Sequence, residues 1–299
     1  MIKIENIGKC FDELWALEGI DLCIDRGELF GVIGPDGAGK TTLFRIIASL
    51  ITPDRGTCRL AGYDVVKDYR KVRERIGYMP GRFSLYLDLT VEENLAFYAR
   101  IFGSSIAANF ELIRDVYQHI EPFKKRLAGK LSGGMKQKLA LSCALIHRPS
   151  VLLLDEPTTG VDAVSRREFW DMLQKIKQEG ITVLVSTPYM DEAARCNRVA
   201  LLAKGRVLDV GDPRQIGAGE LPMFCLRASR GIYPLLKQVR ELDGCKSAWL
   251  FGDCMHITAL SHEAAPGLET ALRSLVCDGL RVEAMESGIE DRFIALSMG

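Results

Sequence analysis

No apolar run in this chain is long enough to cross a bilayer. The longest uncharged one near a helix, LALSCALI from Leu139 to Ile146, falls far short of the ~20 residues a spanning helix needs. If the protein works at a membrane, another chain must do the crossing. Net charge is missing too. The 39 basic and 39 acidic residues cancel, so nothing draws the chain electrostatically to nucleic acid or to an anionic lipid surface. No Cys-x-x-Cys pair occurs among the nine cysteines, and the opening MIKIENIGK carries charges but no apolar signal region. These absences predict reduced thiols in the cytoplasm, with cysteine acting as a small buried apolar residue and not as a metal or redox ligand.

What is present reads as two domains, which 299 residues can support. Alternating segments at Ile2–Ile7 and Ile20–Ile24 predict antiparallel strands. A buried strand at Leu29–Ile33 leads through a glycine-rich turn into a helix from about Lys40 to Leu50. From Val91 to about His147 the pattern is helical. The segment SVLLLD, Ser150 to Asp155, is too apolar for an edge strand and predicts a central parallel one. A helix over Ala163–Glu179, a strand over Thr182–Ser186 and a hairpin turned at Lys204-Gly205 follow. This rhythm predicts an α/β fold with a mostly parallel sheet.

After Asp212-Pro213 the pattern changes. Strands at Met223–Leu226, Lys246–Phe251, Cys254–Ala259 and Arg281–Ala284 alternate with helices at Tyr233–Leu242 and Ala264–Cys277. That order is a split βαββαβ, ferredoxin-like unit. The expected boundaries are therefore 1–212 and 213–299, with a helical subdomain at about 83–148. The second domain carries no glycine-rich loop and no carboxylate or histidine cluster, so it reads as an accessory or contact domain.

The segment GPDGAGKTT, Gly34 to Thr42, matches G-x-x-x-x-G-K-[ST] between a strand and a helix. Gly34, Gly37 and Gly39 let the backbone of the loop, with Pro35, Asp36 and Ala38 between them, curl so that successive N–H groups face phosphate oxygens. The helix start adds its positive dipole end. Lys40 would reach the β- and γ-phosphates, Thr41 would place its hydroxyl on Mg²⁺, and Thr42 completes the loop. This motif predicts nucleotide binding but does not say which machine uses it.

A second motif decides. LSGGMKQ, Leu131 to Gln137, puts Ser132, Gly133 and Gly134 at a helix start, where exposed N–H donors suit an anion and where a plain flexible turn would also fit. Eighteen residues after Gly133 begins VLLLDEP, a buried strand delivering Asp155 and Glu156. In this order and spacing the three motifs resemble the nucleotide-binding domain of the ABC transporter ATPases, over roughly Met1 to Asp212. FSLYLDLTVEENL (Phe83 to Leu95) and the tail GIEDRFIAL resemble exporters of the ABC-2 type.

The resemblance implies ATP and Mg²⁺ as ligands, with Phe11 stacking on adenine. Asp155 would hold Mg²⁺, and Glu156 would act with Lys40 in catalysis as the base that polarises water. Ser132, Gly133 and Gly134 would contact ATP bound to a second nucleotide-binding unit, with Asp162 facing that partner. A membrane-spanning permease would hold the chain at the inner face of the cell membrane.

Two positions depart from the family pattern. A glutamine normally follows the strand reading IGYMP, where this chain has Gly81; a histidine normally follows TVLVS, where it has Pro188. Proline brings neither a side-chain donor nor an N–H. Losing one preorganised donor costs about 2.7–4 kcal/mol, a factor of roughly 100–1000 in rate. The chain's own site is therefore expected to bind ATP and hydrolyse it weakly, beside a non-identical partner, with a homodimer as the alternative. The rival expectations are full activity carried by Glu156 with help from Tyr189 or water, and an ATP-dependent dimerising switch with little hydrolysis.

Overall fold

The first two strands form a longer hairpin than the sequence pattern predicts. β1 spans Ile2–Phe11 and β2 spans Leu14–Ile24, with Phe11 opposite Leu14. The two-residue turn between them is Asp12-Glu13, both with positive φ (44° and 72°). A turn with two left-handed residues matches the twist of a hairpin, but it normally recruits Asn-Gly or Asp-Gly. Asp-Glu gives no such signal, so the hairpin is invisible in the sequence. β4 (Arg55–Leu60) and β5 (Tyr63–Asp64) extend these strands into an antiparallel sheet of order β2-β1-β4-β5.

The second sheet holds β3 (Leu29–Ile33), β6 (Ile76–Met79), β7 (Val151–Asp155), β8 (Thr182–Thr187), β9 (Arg198–Ala203) and β10 (Arg206–Gly211). Its order is β10-β9-β3-β8-β7-β6, with parallel pairing from β6 to β9 and β10 antiparallel at the edge. Every residue of β3, β7 and β8 is buried. Strands covered on both faces need continuous apolar runs, which is why VLLLD and TVLVS carry no alternation. The helices of this part are α1 (Lys40–Ile47), α2 (Tyr69–Arg73), α3 (Val91–Ile101), α4 (Phe110–Tyr117), α5 (Gly133–Leu145) and α6 (Ala163–Gln178). Thr90 and Glu93 cap α3 reciprocally, the sequence sign of a helix start.

The computed structural model describes residues 1–219, 221–229, 231–275 and 277–297. It divides the chain into two units, Met1–Pro213 and Arg214–Gly299, with α7 (Pro213–Gly217) at the division. The second unit contains β11 (Met223–Arg227), α8 (Leu235–Arg240), β12 (Cys245–Phe251), β13 (Cys254–Ala259), α9 (Ala265–Arg273), β14 (Arg281–Met285) and α10 (Ile289–Ser297). Its antiparallel sheet has the order β12-β13-β11-β14, a split βαββαβ arrangement. Phe224, Leu226, Met255 and Ile257 share a core with Leu235, Val239, Leu268 and Leu272 of the two helices.

Helix boundaries moved inward from the periodicity estimate. α8 starts at Leu235 behind Pro234, and α9 stops at Arg273, short of Cys277. Val276, inside the helix predicted over 264–277, lies outside the described residues. α10 has no counterpart in the pattern reading; Asp291 steadies its start by accepting the Gly288 N–H at 2.9 Å. Among the described residues no helix is long and apolar enough to cross a membrane.

Candidate nucleotide site

The chain leaves β3 at Gly34, whose N–H donates to Thr187 O at 3.2 Å and ties the loop to the end of β8. Only glycine fits at position 34, because an added Cβ would lie 2.1 Å from Leu202 O. Gly37 and Gly39 adopt φ of 77° and 105°, left-handed values that side chains resist. Pro35, Asp36 and Gly37 form an exposed lip while Ala38 is buried. Lys40 begins α1 and is almost wholly buried; its ammonium donates to Gly34 O (2.8 Å) and Pro35 O (3.0 Å). Its third partner is Glu156 Oε1 at 3.0 Å. Thr41 and Thr42 follow, half-buried on the first turn.

β7 delivers the two carboxylates to the same strand ends. Ser186 Oγ donates to Asp155 Oδ1 at 2.6 Å and accepts the Glu156 N–H at 3.0 Å, so one hydroxyl sets both acidic residues. Glu156 takes φ = 50°, an uncommon left-handed value for a residue with a side chain. Such outliers persist where the surroundings over-determine them, commonly at functional sites. Here the second restraint is Ser186 O, which also accepts the Glu156 N–H. Beside this pair, burial and the nearby Asp155 charge push the Tyr78 phenol up to about 12, so it stays protonated.

Phe11 stands exposed at the hairpin end with the Lys9 ammonium 5.3 Å from its ring centre. Ser132 caps α5, its Oγ accepting the Met135 N–H at 3.4 Å. The two glycines after it differ. A Cβ at Gly134 would come 3.0 Å from Ser165 Oγ, a tight fit to which the serine side chain would have to yield, whereas at Gly133 the nearest atom is Gly160 O at 3.7 Å. Within this chain the segment thus rests on the start of α6, where Asp162 accepts the Ser165 N–H at 2.9 Å. The structure brings Lys40, Asp155 and Glu156 together and sets Ser132–Gly134 against Gly160 and Ser165.

Gly81 borders the acidic pair: a Cβ there would lie 3.1 Å from Asp155 O and 3.9 Å from the Glu156 Cβ. Glycine places no side-chain atom there. At the other departure, Thr187 Oγ1 donates to Glu192 and accepts the Tyr189 N–H across Pro188. The Tyr189 ring is faced by the Arg166 guanidinium at 4.5 Å. Sequence reasoning missed Ser186, Tyr78 and the buried Glu192, which also accepts from Thr158 Oγ1 at 2.8 Å. Glu192 joins the loop after β7 to the end of β8, and no local pattern marks a role that two distant segments create.

The family model described as "ABC transporter" matches residues 17–159. The chain is 46% identical over 256 residues to "Probable multidrug ABC transporter ATP-binding protein YbhF" of Escherichia coli K12, covering 84% of this chain but 44% of that protein. The chain thus spans less than half of that relative's length. It is 38% identical over 223 residues to "Nod factor export ATP-binding protein I" of Burkholderia lata, covering 74% of this chain and 73% of that one. The dimeric structure of MJ0796, a bacterial ABC transporter cassette, is similar with TM-score 0.65 and 28% identity, over 71% of this chain and 98% of that chain. A post-hydrolysis state of the same cassette, bound to ADP and Pi, gives 0.64. With a strand-loop-helix phosphate cradle, a buried lysine and two acidic residues at one strand end, this chain belongs to the ATP-binding proteins of the ABC transporters.

Proposed function

We propose that the chain is the ATP-binding subunit of a membrane exporter, coupling ATP-driven dimerisation and hydrolysis to transport by a separate membrane subunit. The observation that carries this reading is the ion pair of Lys40 with Glu156 above the glycine loop. A carboxylate on the loop lysine occupies the kind of position an ATP phosphate would take. Incoming phosphate displaces it, and Glu156 is then free to take the proton from a water that attacks the γ-phosphorus as ADP leaves.

Other side chains fall into supporting roles. Phe11 offers an exposed ring to adenine, a contact of ~1–3 kcal/mol. Thr41 and Asp155 supply an all-oxygen donor set that suits Mg²⁺, which when bound would offset phosphate charge. Because Ser132, Gly133 and Gly134 lie on the start of α6 in their own chain, they would serve ATP held by a second nucleotide-binding unit.

Gly81 and Pro188 make this chain's own site a slow one, and its intact LSGGM would complete a competent site on a non-identical partner. Engagement of Tyr189 by Arg166 supports this, since that ring is the nearest candidate to replace the missing histidine. The names of the relatives point to export of a small molecule. The test is ATP-dependent dimerisation followed by light scattering. ATP should shift the wild-type chain, alone or with a co-purifying partner, to a dimer, and Lys40→Ala should abolish the shift. A chain that binds ATP and stays monomeric in both settings would refute the coupling.

A further inference from the structure

The second unit holds a cluster that the nucleotide chemistry does not use. Cys225 on β11, Cys254 and His256 on β13 offer ligand atoms that all lie within 4.8 Å of one another. Strand alternation explains how they meet. Phe224, Leu226, Met255 and Ile257 point into the core with α8 and α9, so Cys225, Cys254 and His256 share the opposite face. Cys225 stands directly across from His256, and Cys254 precedes His256 by two residues. Both thiols are buried. His256 is held by a carboxylate: Asp291 Oδ1 lies 2.8 Å from its Nδ1, and the Asp291 side chain is only 8% exposed. The Phe251 ring covers the imidazole at 4.3 Å.

We infer that Cys225, Cys254 and a His256 ring nitrogen form a binding site for Zn²⁺, independent of the ATP site. Two sulfurs and an imidazole are a thiophilic donor set, the type used with a fourth, open position at many zinc centres. Tetrahedral zinc puts such ligand atoms roughly 3.5–3.8 Å apart, so atoms that lie within 4.8 Å of one another need close by only about 1 Å. Asp291 supplies the outer partner that metal-bound histidines commonly have: with Nδ1–H donated to the carboxylate, the lone pair is left on Nε2. Zinc entry forms two Zn–S bonds and one Zn–N bond, and releases the two thiol protons to solvent. Asp291 also accepts the Gly288 N–H, so occupancy would steady the start of α10. The sequence reading of these cysteines as plain core residues gives no reason for a buried carboxylate to orient the histidine between them.

The test is a metal titration of the full purified chain, reduced, stripped with a chelator and free of nucleotide. Co²⁺ should bind at one per chain, show sulfur-to-cobalt charge transfer with the intense visible bands of tetrahedral cobalt, and be displaced by Zn²⁺. Cys225→Ser and Cys254→Ser should each weaken the charge-transfer band, the double variant should lose it, and the exposed Cys23→Ser should keep it. Asp291→Asn should weaken zinc binding about 10- to 100-fold. The wild-type titration decides the matter even if a variant misfolds: cobalt that fails to bind, or binds without thiolate bands, overturns the site. So does binding unchanged in the Cys225→Ser/Cys254→Ser double variant, or a mass two hydrogens lower showing a Cys225–Cys254 disulfide in the chain as purified.

Discussion

Glu156 is the residue on which the proposed chemistry turns, because it is both the candidate base and the partner of the Lys40 ammonium at 3.0 Å. Replacing it with glutamine should separate the two roles. The slow hydrolysis at the chain's own site should fall by about a further 100- to 10,000-fold, while ATP affinity should hold or rise, since no carboxylate then competes with phosphate for the lysine. Single-turnover assays beside a binding isotherm check both, and a variant that loses affinity along with rate would contradict the displacement idea. Lys40→Ala should weaken ATP binding about 10- to 100-fold, as expected for losing a charged hydrogen bond of ~1.5–3 kcal/mol. The glycines and Lys40 were legible in the sequence because the loop needs them locally. The Lys40–Glu156 pair was not, since it exists only after β3 and β7 are set in one sheet. The same holds for Cys225 beside His256, which are neighbours across a strand pair and not along the chain.

At the scale of elements, the joint between α5 and β6 is the most exacting. A Cβ at Gly77 would lie 2.2 Å from Ala144 O, so strand and helix are in backbone contact there. Gly77→Ala should therefore destabilise the first unit by about 1–3 kcal/mol, read from a denaturant midpoint; an unchanged midpoint would mean that the two elements are free to part. His147 closes the same joint, stacked on Phe102 at 3.8 Å with Nε2 3.0 Å from Ile76 O. Its Nδ1 is buried without a partner, and burial holds its pKa below the usual histidine range. The unfolded chain then binds more protons just below the ordinary value of ~6.5, so stability rises with pH through that window and is lost on acidification. Melting temperature against pH should fall less steeply in His147→Gln than in the parent chain, and equal slopes would remove His147 as the cause. Elements with strong local signals, such as the all-buried β7 and the capped α3, were readable. The β1–β2 turn was not, because Asp12 and Glu13 take left-handed φ values that their side chains do not advertise.

For the whole molecule, two units divide near Pro213, and only the first contains the ATP-binding motifs. The motif order made the fold class and family readable, because each motif needs its own strand-helix context. The strand positions of the second unit were readable from periodicity, but the meeting of Cys225, Cys254 and His256 across β11 and β13 was not. We propose that a sound phosphate loop paired with Gly81 and Pro188 makes this chain half of an asymmetric machine. The direct test is ATP binding and steady-state turnover of the purified chain beside Pro188→His. The account predicts tight binding, negligible turnover, and a gain in rate of up to roughly 100- to 1000-fold when histidine stands at Pro188. Brisk turnover in the parent chain, unchanged by that substitution, would contradict it and leave Glu156 sufficient alone.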